Sequence, residues 1–346
     1  MMYKLSLDKL YDFFDKIAGK EVLYIPSDDS DGSARFKKYE TGVTLSDAGN
    51  TVRSAKDFFF PQTENLVDFK VDGQKIEVID PRTETEDFVI FGVRSCDARS
   101  FKILDKVFIE QEPADSYYLN RRSHGTVITL ACTAPAETCF CKTFGIDPTE
   151  SSDGDIKAWK TTDALMLKAV SEKGRALLES LGEIIEKADV SDEKAVEAQQ
   201  NRTNTIYDKL PLHNLSTEKF DGRSMMDTFS SEKWKELSEA CLGCGTCTFV
   251  CPTCQCYDIK EFDTGHGIKR FRCWDSCMYS DFTKMAGGQP RLTQLERFRQ
   301  RFMHKLIYFP MNNGGEYGCV GCGRCLAKCP IHMNIVKVMK SIGEDK

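Results

Sequence analysis

Two stretches of this chain repeat one spacing. CLGCGTCTFVCP at 241–252 and CVGCGRCLAKCP at 319–330 both read C-x2-C-x2-C-x3-C-P. Thiols fixed at that spacing constrain the fold more than any hydrophobic pattern, because each run must bring its sulfurs to common centres. The chain holds sixteen cysteines in 346 residues. Its start, MMYKLSLDKLYDFFDKIAGK, is broken by Asp8, Asp12 and Asp15 and does not read as a secretory leader. A cytoplasmic location is therefore expected, and there thiols are kept from pairing as disulfides. Ligation of metal or of clusters is the default reading of so many cysteines.

The repeated run is the signature of bacterial two-cluster ferredoxins, in which the fourth cysteine of each run serves the other cluster. Three thiolates on one tight loop take three corners of a cubane, and the fourth points away from it. On this reading Cys241, Cys244, Cys247 and Cys329 hold one [4Fe-4S] cluster, and Cys319, Cys322, Cys325 and Cys251 hold a second. Gly243, Gly245, Gly321 and Gly323 let backbone N–H groups approach the sulfurs. Pro252 and Pro330 end the turns where no donor is needed. Zinc ribbons are a weaker match, since they use two C-x2-C pairs and not a run of four ending in proline. The C-x3-C-x2-C spacing of radical-SAM sites, inside CTFVCPTC at 247–254, shares its ligands with the ferredoxin run.

Sixty-seven residues separate Cys251 from Cys319. An insert as long as the one that begins after Pro252, 253–318, is usually functional. It carries Cys254, Cys256, Cys273 and Cys277. It also carries a helical pattern, RLTQLERFRQRFMHKLIYF at 291–309, with Leu292, Leu295, Phe298, Phe302 and Leu306 as its buried stripe. Arg291, Arg297, Arg301 and Lys305 are expected mostly off that stripe, as a solvated face or as a docking surface for an acidic partner.

At 39.2 kDa, with 41% apolar and 29% charged residues, the chain suits about two domains with solid cores. A net charge of −6 argues against a general nucleic-acid binder. No run of 18 apolar residues exists, so no membrane span is expected. The fold class expected is α+β: a mixed α/β domain over 1–230, then a ferredoxin-like domain over 231–346. In the first, Leu7, Leu10, Phe13, Phe14 and Ile17 recur at helical spacing behind a candidate Ser6 cap. EVLYI (21–25), KIEVI (75–79), DFVIFGV (87–93), TVITLA (126–131) and DALMLKAV (163–170) read as strands. Phe101, Leu104, Val107 and Phe108 mark a helix between two of them, which suggests a parallel pair with a crossover. The polar stretch from Glu186 to Asn204 reads as an exposed helix.

Cys96 follows DFVIFGV within three residues, and Cys132 follows TVITLA directly. If those strands are parallel neighbours, both thiols lie past one carboxyl edge, where ligands bind in open α/β sheets. TAPAETCFCK then returns Cys139 and Cys141. Cys96, Cys132, Cys139 and Cys141 are therefore candidate ligands of a third [4Fe-4S] cluster, with structural zinc or free buried thiols as alternatives. Cys254, Cys256 and Cys277, with Cys273 nearby, are candidates for an additional metal site, or for thiols that pack around clusters and donate weak S–H bonds. Arg94, Asp97 and Arg99 beside Cys96 could bind a flavin or a small anion, or simply form salt bridges at a helix start. His124, His213, His266, His304 and His332 share no ligand spacing and read as surface or capping residues. The run FFF at 58–60 reads as core at a loop entry.

With these segments in hand, the chain resembles the β subunits of sulfhydrogenase-type NiFe hydrogenases and the iron–sulfur electron-transfer subunit of anaerobic sulfite reductase. The resembling segments are NTVRSAKDFFFPQTE (50–64), FGVRSCDARSFKILDKVF (91–108), CTAPAETCFCKTFG (132–145), CLGCGTCTFVCPTCQCYDI (241–259), FRCWDSCM (271–278), RQRFMHKL (299–306) and the motif at 319–330. The resemblance implies a soluble complex in which a flavin subunit exchanges hydride with NAD(P)H, this kind of subunit relays single electrons, and a catalytic subunit transforms the substrate. No GxGxxG run or GxxxxGK[ST] loop occurs, so no flavin or nucleotide is expected in this chain itself. Two rival readings are a reductase subunit with its own active site near Cys96 and a scaffold whose metals only hold the fold.

Overall fold

The computed structural model describes residues 1–82, 86–150, 153–220 and 222–343. In chain order the strands are β1 (Tyr3–Ser6), β2 (Val22–Asp28), β3 (Ala34–Lys38), β4 (Thr63–Asp72), β5 (Lys75–Ile79), β6 (Phe88–Val93), β7 (Gly125–Leu130), β8 (Ile156–Lys160), β9 (Ala164–Ala169), β10 (Glu186–Lys187), β11 (Tyr257–Asp263) and β12 (Gly267–Trp274). The helices of the first half are α1 (Leu10–Ala18), α2 (Ser95–Phe108), α3 (Ser116–His124), α4 (Glu172–Leu181) and α5 (Val190–Tyr207). Those of the second half are α6 (Met225–Ser230), α7 (Lys233–Glu239), α8 (Thr246–Phe249), α9 (Gln294–Met303), α10 (Phe309–Asn312), α11 (Arg324–Ala327) and α12 (Ile335–Gly343).

The main sheet runs β10-β1-β9-β8-β7-β6-β2-β3. Its centre is parallel: β2 pairs with β6, β6 with β7, and β7 with β8. Strands buried on both faces read as continuous apolar runs, and FVIFGV does so because it is covered twice. Val89 and Phe91 join one core with Phe13, Phe14, Leu23 and Ile128, while Ile90 and Val93 join another with Phe59, Phe101, Leu104 and Tyr118. Gly92 permits the irregularity between Phe91 and Val93: it sits at φ 82°, and a Cβ there would come within 3.0 Å of the Pro26 ring. Phe91 meets Phe14 edge-on with ring centroids 5.0 Å apart, and truncating such a buried ring costs about 3–5 kcal/mol.

The α1 stripe of Leu10, Phe13, Phe14 and Ile17 is buried as its spacing predicts. Ser6 makes no capping bond; a 3-10 turn over Leu7–Lys9 leads into the helix instead. The polar stretch read as a helix from Glu186 begins instead as β10, an edge strand, and α5 starts only at Val190, closed by a reciprocal Asp189–Asp192 capping box.

A second sheet, β11-β12-β4-β5, joins distant parts of the chain. KIEVI is a strand as expected, but it lies in this small sheet. The hairpin of the insert, β11 and β12, pairs with β4 from the first half. Arg272 on β12 fixes the junction: it is buried and bonds Glu64 at 2.7 Å and Asp115 at 2.5 Å. Among the described residues no helix is long and apolar enough to cross a membrane.

Candidate iron–sulfur sites

The sequence repeat is a backbone repeat. Gly243 and Gly245 have φ of 65° and 74°, and Gly321 and Gly323 have φ of 59° and 76°. Each run then enters a short helix, α8 or α11, and these two helices pack on each other. Two of the glycines are also needed for space. A Cβ on Gly321 would lie 2.4 Å from the Phe140 carbonyl oxygen, and one on Gly323 would lie 2.5 Å from that of Thr138. The loop carrying Cys139 and Cys141 therefore rests directly on the second motif, and Phe140 N–H donates to Gly321 O at 2.9 Å.

Cys319, Cys322 and Cys325 are half-buried near one another, each under the influence of Cys251. Burial pushes the Cys319 thiol up to about 12 and raises the other two as well. The Cys247 thiol is raised by burial and has Arg301, Cys277, Cys241 and Cys251 about it. Gln294 Nε2 donates to Cys241 Sγ at 3.3 Å. Cys244 is exposed, and its hydrogen bond with Thr246 lowers its pKa. Cys329 follows α11, with its thiol 3.3 Å from Met333 O.

The N-terminal four also draw together. Cys96 lies in the first turn of α2 and Cys132 just past β7, both beyond the carboxyl edge that the parallel β6–β7 pair defines. Burial, then Cys132, pushes the Cys139 thiol up to about 11. Burial raises Cys141, with Cys132, Cys139 and Tyr207 as its neighbours. Burial raises Cys96 as well, with Asp97, Cys322, Arg324 and Cys141 around it. This set thus abuts the second ferredoxin run. The junction is locked by Arg324, which lies between Cys322 and Cys325 and forks onto Asp97 at 2.5 and 2.7 Å, both side chains being buried.

The charges beside Cys96 take the structural role. Arg94 donates to the carbonyls of Ala131 and Ala48, Asp97 holds Arg324, and Arg99 pairs with Asp153. Cys254, Cys256 and Cys277 divide into two contacts, Cys254 with Cys251 and Cys256 with Cys277. Cys273 stands apart on β12.

The expected basic face of 291–309 is corrected at two positions. Arg301 and Lys305 are buried, at 3% and 5% exposure, and turn toward the cysteines. Arg301 donates to Cys247 O at 2.9 Å, and Lys305 donates to Thr253 Oγ1 at 2.8 Å and Gly318 O at 2.9 Å. A third buried cation, Lys56, had no sequence signal. It donates to the carbonyls of Cys251 and Cys254 and lies 3.6 Å over the Trp274 ring. Among the described residues none of the three has a carboxylate within ion-pair reach, and Arg301 Nε has no partner. An uncompensated buried charge costs several kcal/mol. Burial disfavours the charge on Lys305, yet Cys251 and Cys254 outweigh it and hold its pKa above the ordinary lysine value. At Lys56 burial prevails and the pKa falls.

This donor set fits [4Fe-4S] clusters. Thiols that burial makes costly to ionise, Cys247, Cys319 and Cys325, lie about buried cations that lack an anion, and a bound cluster with deprotonated thiolates would supply that anion. Among the described residues no three His, Cys, Asp or Glu side chains close on one point as the ligands of a single ion would. A cubane spreads its thiolates over four corners.

Comparison with known proteins agrees with this chemistry. The family described as a 4Fe-4S dicluster domain matches residues 240–333. Sulfhydrogenase 2 subunit beta of Pyrococcus furiosus is 33% identical over 346 residues, which covers 99% of this chain and 98% of that protein. No solved structure matches the chain.

Proposed function

This chain belongs to the family of sulfhydrogenase β subunits, and on that premise we propose that it relays single electrons between a flavin subunit that uses NAD(P)H and a catalytic oxidoreductase subunit. A bound [4Fe-4S] cluster supplies a reversible one-electron couple, tuned by charge, hydrogen bonds to sulfur and exposure. Cys241, Cys244, Cys247 and Cys329 would hold one cluster, and Cys319, Cys322, Cys325 and Cys251 a second. Cys96, Cys132, Cys139 and Cys141 would hold a third. In this reading residues 231–346 form the ferredoxin-like unit and residues 1–230 carry the third site.

The observation that carries the proposal is the seating of the 139–141 loop on the 321–323 loop, with the Asp97–Arg324 pair beside it. It sets the third thiol group against the second, as a continuous path for charge requires. The protein's own residues then do three things. Lys56, Arg301 and Lys305 offset negative charge on the sulfurs. Gln294 donates toward Cys241. The exposed Cys244, with Tyr279 bonded to its carbonyl at 3.3 Å, leaves one end of the path open to a partner.

Anaerobic purification with iron counting and EPR tests this. Three four-iron groups predict about 12 irons per chain. Cys139→Ser should lower the count by about four and leave the ferredoxin-like pair reducible. A parent count near eight, or loss of zinc in place of iron, would overturn the third site.

A further inference from the structure

Cys256 and Cys277 are left over once the cluster ligands are assigned, and the fold brings them together. Cys256 immediately precedes β11, and Cys277 lies three residues past β12. The hairpin register pairs Tyr257 with Trp274, and Asp275 N–H continues it by donating to Cys256 O at 3.0 Å. The turn that follows sets Cys277 beside Cys256, and each is the foremost influence on the other's thiol. That turn is pinned to α8: Thr248 Oγ1 donates to Ser276 Oγ at 2.9 Å, and both residues are buried. Cys247, next to Thr248, has Cys277 as a neighbour.

The pair is not sealed off. Both cysteines are partly exposed, whereas Cys251 and Cys254 are buried. Their chain neighbours Tyr257, Asp275, Met278 and Tyr279 line a groove of about 780 Å³, which also reaches Leu242 and Gly243 of the first motif. Two neighbouring thiols at the open end of one hairpin, partly exposed and beside a candidate cluster ligand, have the arrangement of a redox couple.

We propose that Cys256 and Cys277 form a reversible dithiol/disulfide couple, a two-electron store placed on the one-electron path. The chemistry balances within the molecule. Oxidation forms one S–S bond, releases two protons to water in the groove, and passes two electrons singly to the neighbouring [4Fe-4S] clusters. Reduction returns two electrons and two protons, breaks the S–S bond and restores both thiols. Such a store would match one-electron traffic to partners that exchange electrons in pairs. The proposal rests on the relay reading for its electron supply.

The test uses the anaerobic full-length holoprotein with Cys273→Ser as background, so that peptides stay unambiguous. The protein is oxidised with diamide or ferricyanide, denatured in iodoacetamide, and mapped by peptide mass. A Cys256–Cys277 linked peptide is expected after oxidation. It should disappear after reduction with dithionite, while absorbance follows the clusters separately. In Cys256→Ser and Cys277→Ser, iron content should match the parent, and reductive titration should consume two electrons fewer per chain. Carboxamidomethylation of both cysteines after oxidation would overturn the proposal. So would loss of iron in either variant, which would mark these residues as metal ligands. Clusters that bleach normally while no linked peptide forms would sink only this inference. Clusters that never reduce would sink the relay, and diamide mapping would still judge the pair.

Discussion

Lys305 lies among the thiols with only a hydroxyl and a carbonyl to receive its protons. A positive charge there favours the more reduced, more negative state of any cluster beside it. At an effective dielectric near 20, one charge near a cluster would contribute about 2 kcal/mol, or on the order of 50–100 mV for a one-electron couple. Lys305→Met should therefore move the lower midpoint potential in a redox titration followed by EPR to more negative values. An unchanged potential with intact clusters would show that the ammonium does not act on them. Asp97→Asn tests a different penalty, because it leaves Arg324 buried without its carboxylate. A loss of about 3–5 kcal/mol is expected in denaturant unfolding. The grouping of Cys319, Cys322 and Cys325 was legible in the sequence because their spacing is itself the constraint. The buried cations were not, since lysine and arginine on a helix ordinarily face water. A signal did exist at Arg301 and Lys305. They follow Phe298 by three and seven residues, which places them on the apolar stripe and not beside it. Lys56 gave no such signal.

At the scale of elements, the helix that begins with α9 changes pitch at the site. Its start is closed by the Thr293–Glu296 capping box, but residues His304–Tyr308 form a π turn before α10. Such turns free a carbonyl and recur at functional sites. Here Gly318 N–H donates to Lys305 O at 2.9 Å, just before Cys319. The apolar pattern of 291–309 showed a helix but could not show this shift, because one extra residue leaves the stripe nearly unbroken. The parallel strands were legible from their double burial. The small sheet was not, since β4 and β12 lie about two hundred residues apart and local pattern carries no pairing information. His304, read from the sequence as a surface or capping residue, is half-buried in the π turn and gives a pH prediction. Burial, then Lys305 and Arg291, lowers its pKa from 6.5 to about 4. Between those values the unfolded chain binds a proton that the folded one refuses, so stability present above pH 6.5 is lost as pH falls toward 4. The linked contribution is about 3 kcal/mol at most. His304→Gln should flatten that part of the difference in unfolding free energy between pH 7 and pH 5. A slope equal to the parent's would assign it to other groups.

For the molecule as a whole, the two halves are stabilised by different means. The main sheet buries aromatic and branched residues on both faces and needs nothing from metal: Phe13, Phe14, Phe91, Leu165 and Leu167 are almost fully buried together. The second half packs Trp234, Phe298, Phe302, Leu306 and Val338 into a core whose margin includes Cys241, Cys247, Cys319 and Cys325. It also contains Arg301 and Lys305, whose charges have no carboxylate partner among the described residues. Removing the clusters with a chelator and oxidant should then leave β6 and β7 protected against hydrogen exchange. Protection should fall in α7, α9 and α12, because the buried ammonium and guanidinium lose their only large counter-charge. Hydrogen exchange with mass spectrometry reads the two halves separately. Uniform protection after complete removal of iron would mean that the cations are neutralised without the clusters. The electrostatic link between cofactor and fold would then fail, even with every cysteine correctly assigned.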